Sequence, residues 1–342
     1  MNQLETITTF EKYTQAKSLS ELLKAIGLYF EELYKKSSPL VSKISHLDFL
    51  SVQQKFKAVI DSCNSGDMQK ALQILDAMLH KTTGSCLLDR NDYLKKNSIL
   101  YRMRYSENYE LYHREDMFHM PFEKAGVQAA GRYSISGVPC LYLGASLYSC
   151  WEETRRPDIT KVNYAAFTNK RKLHFLSTMC PNTLDSLDDL RRFFIFALCS
   201  AYVRPEEDHS KHRFQYVISE LITILFIRYL HAQDEAKKPV KYDGIKYISS
   251  RYFLERDMFK IRPIFYNYVI PIRNVQKEGH CPVLVNTFNV SEVKAEFARN
   301  IRLRKLSGSK IRVNEYSQSL FAMLEDELTR SRSSFLKIKD KV

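Results

Sequence analysis

A mixed α+β domain preceded by a small all-helical unit is the fold class this sequence predicts, and three observations predict it. Apolar residues recur at helical spacing through the first 90 residues. After about residue 95, short runs rich in Tyr, Phe, Val and Ile alternate with helix-like stretches. No glycine-rich nucleotide fingerprint of the form G-x-G-x-x-G or G-x-x-x-x-G-K-[ST] follows a strand, so a doubly wound dinucleotide fold and a P-loop are both set aside. The expected division is 1–92 helical and 93–342 mixed α/β.

The N-terminal helices justify themselves locally. In "SLSELLKAIGLYFEELYKK", Ser18 and Glu21 have the spacing of a capping box, and Leu19, Leu22, Leu23, Ile26, Phe30 and Leu33 form one apolar stripe. "GDMQKALQILDAMLH" repeats the pattern between the turn signals "CNSGD" and "TTGS". Farther on, strands are predicted at "SILYRMRY", "CLYLGA", "VNYAAFT", "KLHFLS", "GIKYIS", "NYVIPI" and "PVLVNTF", and helices at 146–155, 186–202, 214–231 and 314–330.

Composition narrows the function classes. With 44% hydrophobic and 12% aromatic residues in 342, the chain can bury a sizeable core. No apolar run approaches the roughly 20 residues that cross a bilayer, and "MNQLETITTFEKY" is not a secretory signal, so a cytoplasmic protein with no membrane partner is expected. The seven cysteines are scattered without a C-x-x-C pair, which argues against a disulfide framework or a zinc ribbon; His209 and His212 read as polar loop residues rather than metal ligands. The net charge of +13 arises almost entirely beyond residue 90, because residues 1–90 carry 11 Lys or Arg against 10 Asp or Glu. Part of it concentrates in "KAEFARNIRLRKLSGSKIR", a surface for polyanions or an acidic partner, but no RNP, KH or zinc-finger signature makes nucleic acid the expected partner.

One stretch, "GRYSISGVPCLYLGASLYSCWEETRR", concentrates charge around a short strand. Arg132 and Tyr133 follow Gly131 in a turn, Tyr142 lies on the strand, and Ser146 is placed to cap the next helix. Glu152 and Glu153 then point about 100° apart around that helix, so they cannot serve one site equally. Upstream, Arg102 and Arg104 are two apart in "LYRMRY" and share a strand face. Spacing alone leaves open a surface ion-pair network.

The ordered series "ILYRMR", "AAGRYSISGVPCLYLGASLYSCWEETRR", "RFQYVISELITILF" and "KYDGIKYISSR" resembles the RES domain family over roughly 97–290. Met103 and Ser219-Glu220 depart from the residues common there. That resemblance implies a fold like that of the ADP-ribosyltransferases, consumption of NAD+ as substrate rather than as a retained cofactor, inorganic phosphate as a co-substrate in some members, a toxin role with an antitoxin partner, and a homodimer. It assigns catalytic roles to Glu153, Arg102 and Tyr142 and substrate contacts to Arg132, Tyr133, Ser249 and Ser250. The residue types suit the chemistry. Expelling nicotinamide leaves an oxocarbenium-like ribose that a carboxylate stabilises, and guanidinium forks bind pyrophosphate oxygens. The expected activity is therefore cleavage of the nicotinamide–ribose bond by water or phosphate. Transfer of ADP-ribose to a macromolecule and a non-catalytic basic interaction protein stand as alternatives.

Overall fold

The computed structural model describes residues 16, 18–36, 38, 41–81, 85–128, 131–200, 216–249, 263–295, 316, 317, 319–330 and 335–338. Ser250, His209, His212 and nearly all of the basic C-terminal run lie outside the described residues.

Helices α1 (Leu19–Lys35), α2 (His46–Asn64) and α3 (Met68–Leu79) are the first elements among the described residues. Each starts on a side chain that accepts an otherwise orphaned backbone N–H: Ser18 from Glu21, Ser45 from Asp48 and Asp67 from Lys70. Their apolar stripes do not close on one another alone. Phe30 stacks on Phe49 with ring centroids 4.7 Å apart, and both Phe30 and Phe56 pack on Phe193 or Phe194 of α5 (Leu187–Ser200). The expected boundary at 92 falls inside strand β1 (Asp89–Leu94), and the buried cluster is continuous across it.

The remaining strands among the described residues are β2 (Ile99–Tyr105), β3 (Cys140–Gly144), β4 (Val162–Asn169), β5 (Leu173–Ser177), β6 (Gly244–Ile248), β7 (Tyr266–Pro271), β8 (Phe288–Val290) and β9 (Lys294–Ala295). They form one mixed sheet in the order β1-β5-β6-β7-β3-β2-β4-β8, with β9 on β4; β5 and β6 run parallel and the other pairs antiparallel. The fold is thus α+β with a mixed sheet. Alternation divides the strand residues between two cores. Tyr101, Met103, Tyr164, Ala166 and Val269 face the helices α1 to α6, where α4 is Leu147–Glu153 and α6 is Val217–Glu235. Leu100, Leu141, Leu143, Phe167 and Tyr268 face a thinner layer that includes Phe118 and the short helix α7 (Pro282–Thr287). The last helix among the described residues, α8 (Leu320–Arg330), packs on α4 and β4.

One local expectation is corrected, and one strand carries no sequence signal. "PVLVNTF" was expected as a strand, yet Pro282–Thr287 is helical and only Phe288 onward extends; Pro282 stands in the first turn, where its missing N–H costs nothing. β1, "DRNDYL", has no apolar alternation to announce it and is held by pairing with β5.

Candidate active site at a parted seam

Strand β2 is paired unequally on its two sides. Toward β4 the register runs unbroken over seven residues, Ile99↔Thr168 to Tyr105↔Val162. Toward β3 it holds only Tyr101↔Gly144, after which the strands part. The opening between them is a cleft of about 580 Å³. Its walls include Arg102 and Arg104 from β2, Tyr142 from β3, Glu153 from α4, Arg132 from the turn before β3, and Tyr247 and Asn267 from β6 and β7. Because the gap interrupts the sheet, side chains of opposite parity reach one space: Arg102 lies in register with Leu100, whereas Tyr142 packs against the core on the helical side.

The arginine wall has no direct ion pair among the described residues, although the Asp116 charge acts on Arg104. Burial pulls the Arg102 guanidinium down from its ordinary range, and neighbouring Arg104 pulls it further. Its one hydrogen bond among the described residues is a long donation of 3.5 Å to the Tyr142 carbonyl. Arg104 is lowered mainly by desolvation and donates to the Asp116 carbonyl. These two partly desolvated cations lie side by side, neither in a direct ion pair with a carboxylate among the described residues, an arrangement that suits an anionic group. Arg132 is more engaged: it donates to the Cys199 carbonyl and its guanidinium lies 5.1 Å from the Tyr216 ring centre.

Glu153 ends α4 under firm control. Ser146 caps that helix, accepting from the Ser149 N–H at 3.0 Å and donating to the Ile264 carbonyl at 2.6 Å. Gly144 lets the helix sit against β3, because a Cβ there would come 2.5 Å from Ser149 Oγ and 2.7 Å from Cys150 Sγ. Asn267, 3% exposed, donates from Nδ2 to Glu153 Oε1 at 2.9 Å and is itself approached by Ser149 Oγ at 3.3 Å. One carboxylate oxygen is therefore fixed. Beyond Glu153 the chain leaves by a Schellman closure, Arg156 N–H to Trp151 carbonyl at 2.9 Å, with Arg155 at φ 67° in the place usually given to glycine.

Glu152 has a different environment. It is 3% exposed, ion-paired with Arg156 at 2.8 Å, and Arg156 in turn lies over Trp151. It does not line the cleft.

Tyr142 packs close to Gly131, where a Cβ would meet its hydroxyl at 2.9 Å. The hydroxyl is buried without a well-directed partner, and desolvation raises its pKa, so it stays a neutral donor. Tyr133 and Ser249 are not on the cleft wall. Tyr133 is fully buried, its hydroxyl 2.8 Å from Thr178 Oγ1 and its ring 4.6 Å from that of Tyr247. Ser249 is fully buried and its N–H donates to the Phe265 carbonyl. Asn267 gives no sequence signal, being one polar residue in an apolar strand, and Tyr247 in "DGIKYIS" reads as an ordinary strand aromatic.

Other chemistries find less support. The seven cysteines are free, and burial pushes the Cys150 thiol at the cleft edge up to about 12, far from a reactive thiolate. Among the described residues no cluster of metal-ligating side chains occurs, and no helix is long and apolar enough to cross a membrane.

No protein-family model and no solved structure matches the chain. A Bacillus subtilis (strain 168) protein named "Putative toxin YopC" is 29% identical over 291 residues, which is 77% of this chain and 62% of that relative. The chain thus spans less than two thirds of the relative's length, and its similarity is to a protein named as a toxin.

Proposed function

We propose that the chain is an NAD+-cleaving toxin of the RES type, breaking the nicotinamide–ribose bond in the parted seam. The observation that carries the reading is the pairing, in one cleft, of two arginines lacking carboxylate partners among the described residues with a carboxylate held by Asn267. Arg102 and Arg104 receive the pyrophosphate of NAD+, with Arg132 beside them. This orients the nicotinamide ribose toward Glu153. As the C–N bond lengthens, its electron pair leaves with neutral nicotinamide and positive charge grows on the ribose; the Glu153 carboxylate stabilises that charge electrostatically. Water, giving up a proton to solvent, or inorganic phosphate through one of its oxygens then bonds to the anomeric carbon. Tyr142 and Tyr247 supply aromatic surface and a neutral hydroxyl donor for the sugar or the base. The relative named as a toxin supports the biological side of the reading, and a neutralising antitoxin protein belongs to the same proposal.

The test is direct. Purified folded protein is incubated with NAD+ with and without phosphate, and nicotinamide is quantified. Release in either condition supports the reading; its absence in both overturns it.

A further inference from the structure

The geometry points to Glu325, on the C-terminal helix and outside the motif-bearing region, as a positioning residue that holds Glu153 in the cleft by fastening the opposite end of α4; this rests on the reading of Glu153 as the residue facing the substrate. Helix α4 has only seven residues, too few to be stable by itself, so its placement must come from its neighbours. At its C-terminal end Asn267 holds Glu153. At its N-terminal end the Leu147 N–H donates to Glu325 Oε1 at 2.6 Å, while the Ser146 cap takes the Ser149 N–H. Glu325 thus satisfies an amide that the capping serine does not reach, with negative charge at the positive end of the helix.

The carboxylate is set deliberately. The Tyr316 hydroxyl donates to the same Oε1, and burial raises the Glu325 carboxyl to about 6, so near neutral pH it is the ionised form that grips α4. Apolar packing keeps it there: Phe321 of α8 meets Tyr148 and Trp151 of α4 at 5.5 and 5.4 Å between ring centres. Leu320, Leu324 and Leu328 are buried beneath it. Helix α8 therefore completes the site without touching the cleft, since none of its residues lines the opening.

Two arms test this. In the kinetic arm, Glu325→Ala should lower kcat for nicotinamide release by about tenfold or more with KM little changed, since the arginine wall is untouched; Glu325→Gln keeps an acceptor for Leu147 N–H and should restore most of kcat. In the second arm, hydrogen exchange across 147–153 should quicken in Glu325→Ala and return toward wild type in Glu325→Gln, with the rest of the sheet unchanged. Should Glu325→Ala fail to fold, Tyr316→Phe replaces it, with smaller changes of the same sign. A folded Glu325→Ala with wild-type kcat and wild-type exchange over 147–153 overturns the assignment. If the wild-type protein releases no nicotinamide, the proposed activity fails, and the exchange arm still decides whether Glu325 fastens α4.

Discussion

The two sides of strand β2 show what a sheet gains by pairing and what it gains by withholding it. On the β4 side seven residues are in register, Ala165, Ala166 and Phe167 of the partner strand are fully buried, and the seam is shut. On the β3 side one pair closes the seam, and beyond it Arg102 and Arg104 are partly desolvated cations facing an opening. Backbone groups left unpaired in a sheet interior are costly unless something else satisfies them. The difference teaches that one strand can be sealed on one side and parted on the other, and the proposed ligand chemistry lies on the parted side.

Substitutions should separate the two properties. The largest effect on stability is expected in the shut seam: Phe167→Ala should lose about 3–5 kcal/mol by leaving a cavity, measured as a shift in the urea midpoint. At the hinge of the parted seam, Gly144→Ala should cost about 1–3 kcal/mol, because the new methyl meets Ser149 and Cys150 and lifts α4; turnover should fall more steeply than stability. Inside the opening the sign reverses. Arg102→Ala removes a half-buried cation without an ion-paired carboxylate among the described residues, so stability should stay level or rise by roughly 1 kcal/mol, while KM for NAD+ rises about tenfold or more. Equal destabilisation by Phe167→Ala and Arg102→Ala would break the comparison. The smallest change is at the helix exit: Arg155→Gly should gain about 0.5 kcal/mol by relieving the left-handed conformation, seen as a small rise in Tm with activity retained.

Much of this was legible in the residues, for identifiable reasons. Strands β2, β3, β4, β5, β6 and β7 announce themselves through β-branched and aromatic runs, and the caps at Ser18 and Ser146 mark helix starts that the structure keeps. Arg102, Arg132, Tyr142 and Glu153 could be named because they lie within a short ordered series of motifs, and one cleft receives all four. What stayed hidden depends on partners remote in sequence. "PVLVNT" has a strand's composition but lies at a turn where Pro282 starts a helix, and β1 is polar because β5 supplies its pairing. The shared core of Phe30, Phe56 and Phe194 could not be seen from helical stripes alone, since a stripe states that a face is buried and not against what. Tyr133 shows the converse limit: a turn residue beside Arg132 has its hydroxyl taken by Thr178 and its ring by Tyr247.

The adjacent carboxylates of α4 provide the sharpest contrast, because Glu153 lines the parted seam on Asn267 whereas Glu152 is locked to Arg156 one residue away. The decisive measurement is nicotinamide release from NAD+ by Glu153→Gln and Glu152→Gln, each checked for native folding. A fall of about 100-fold or more in kcat for Glu153→Gln, with Glu152→Gln within a few fold of wild type, is the predicted result. Equal loss in the two variants, or full turnover by Glu153→Gln, would contradict it.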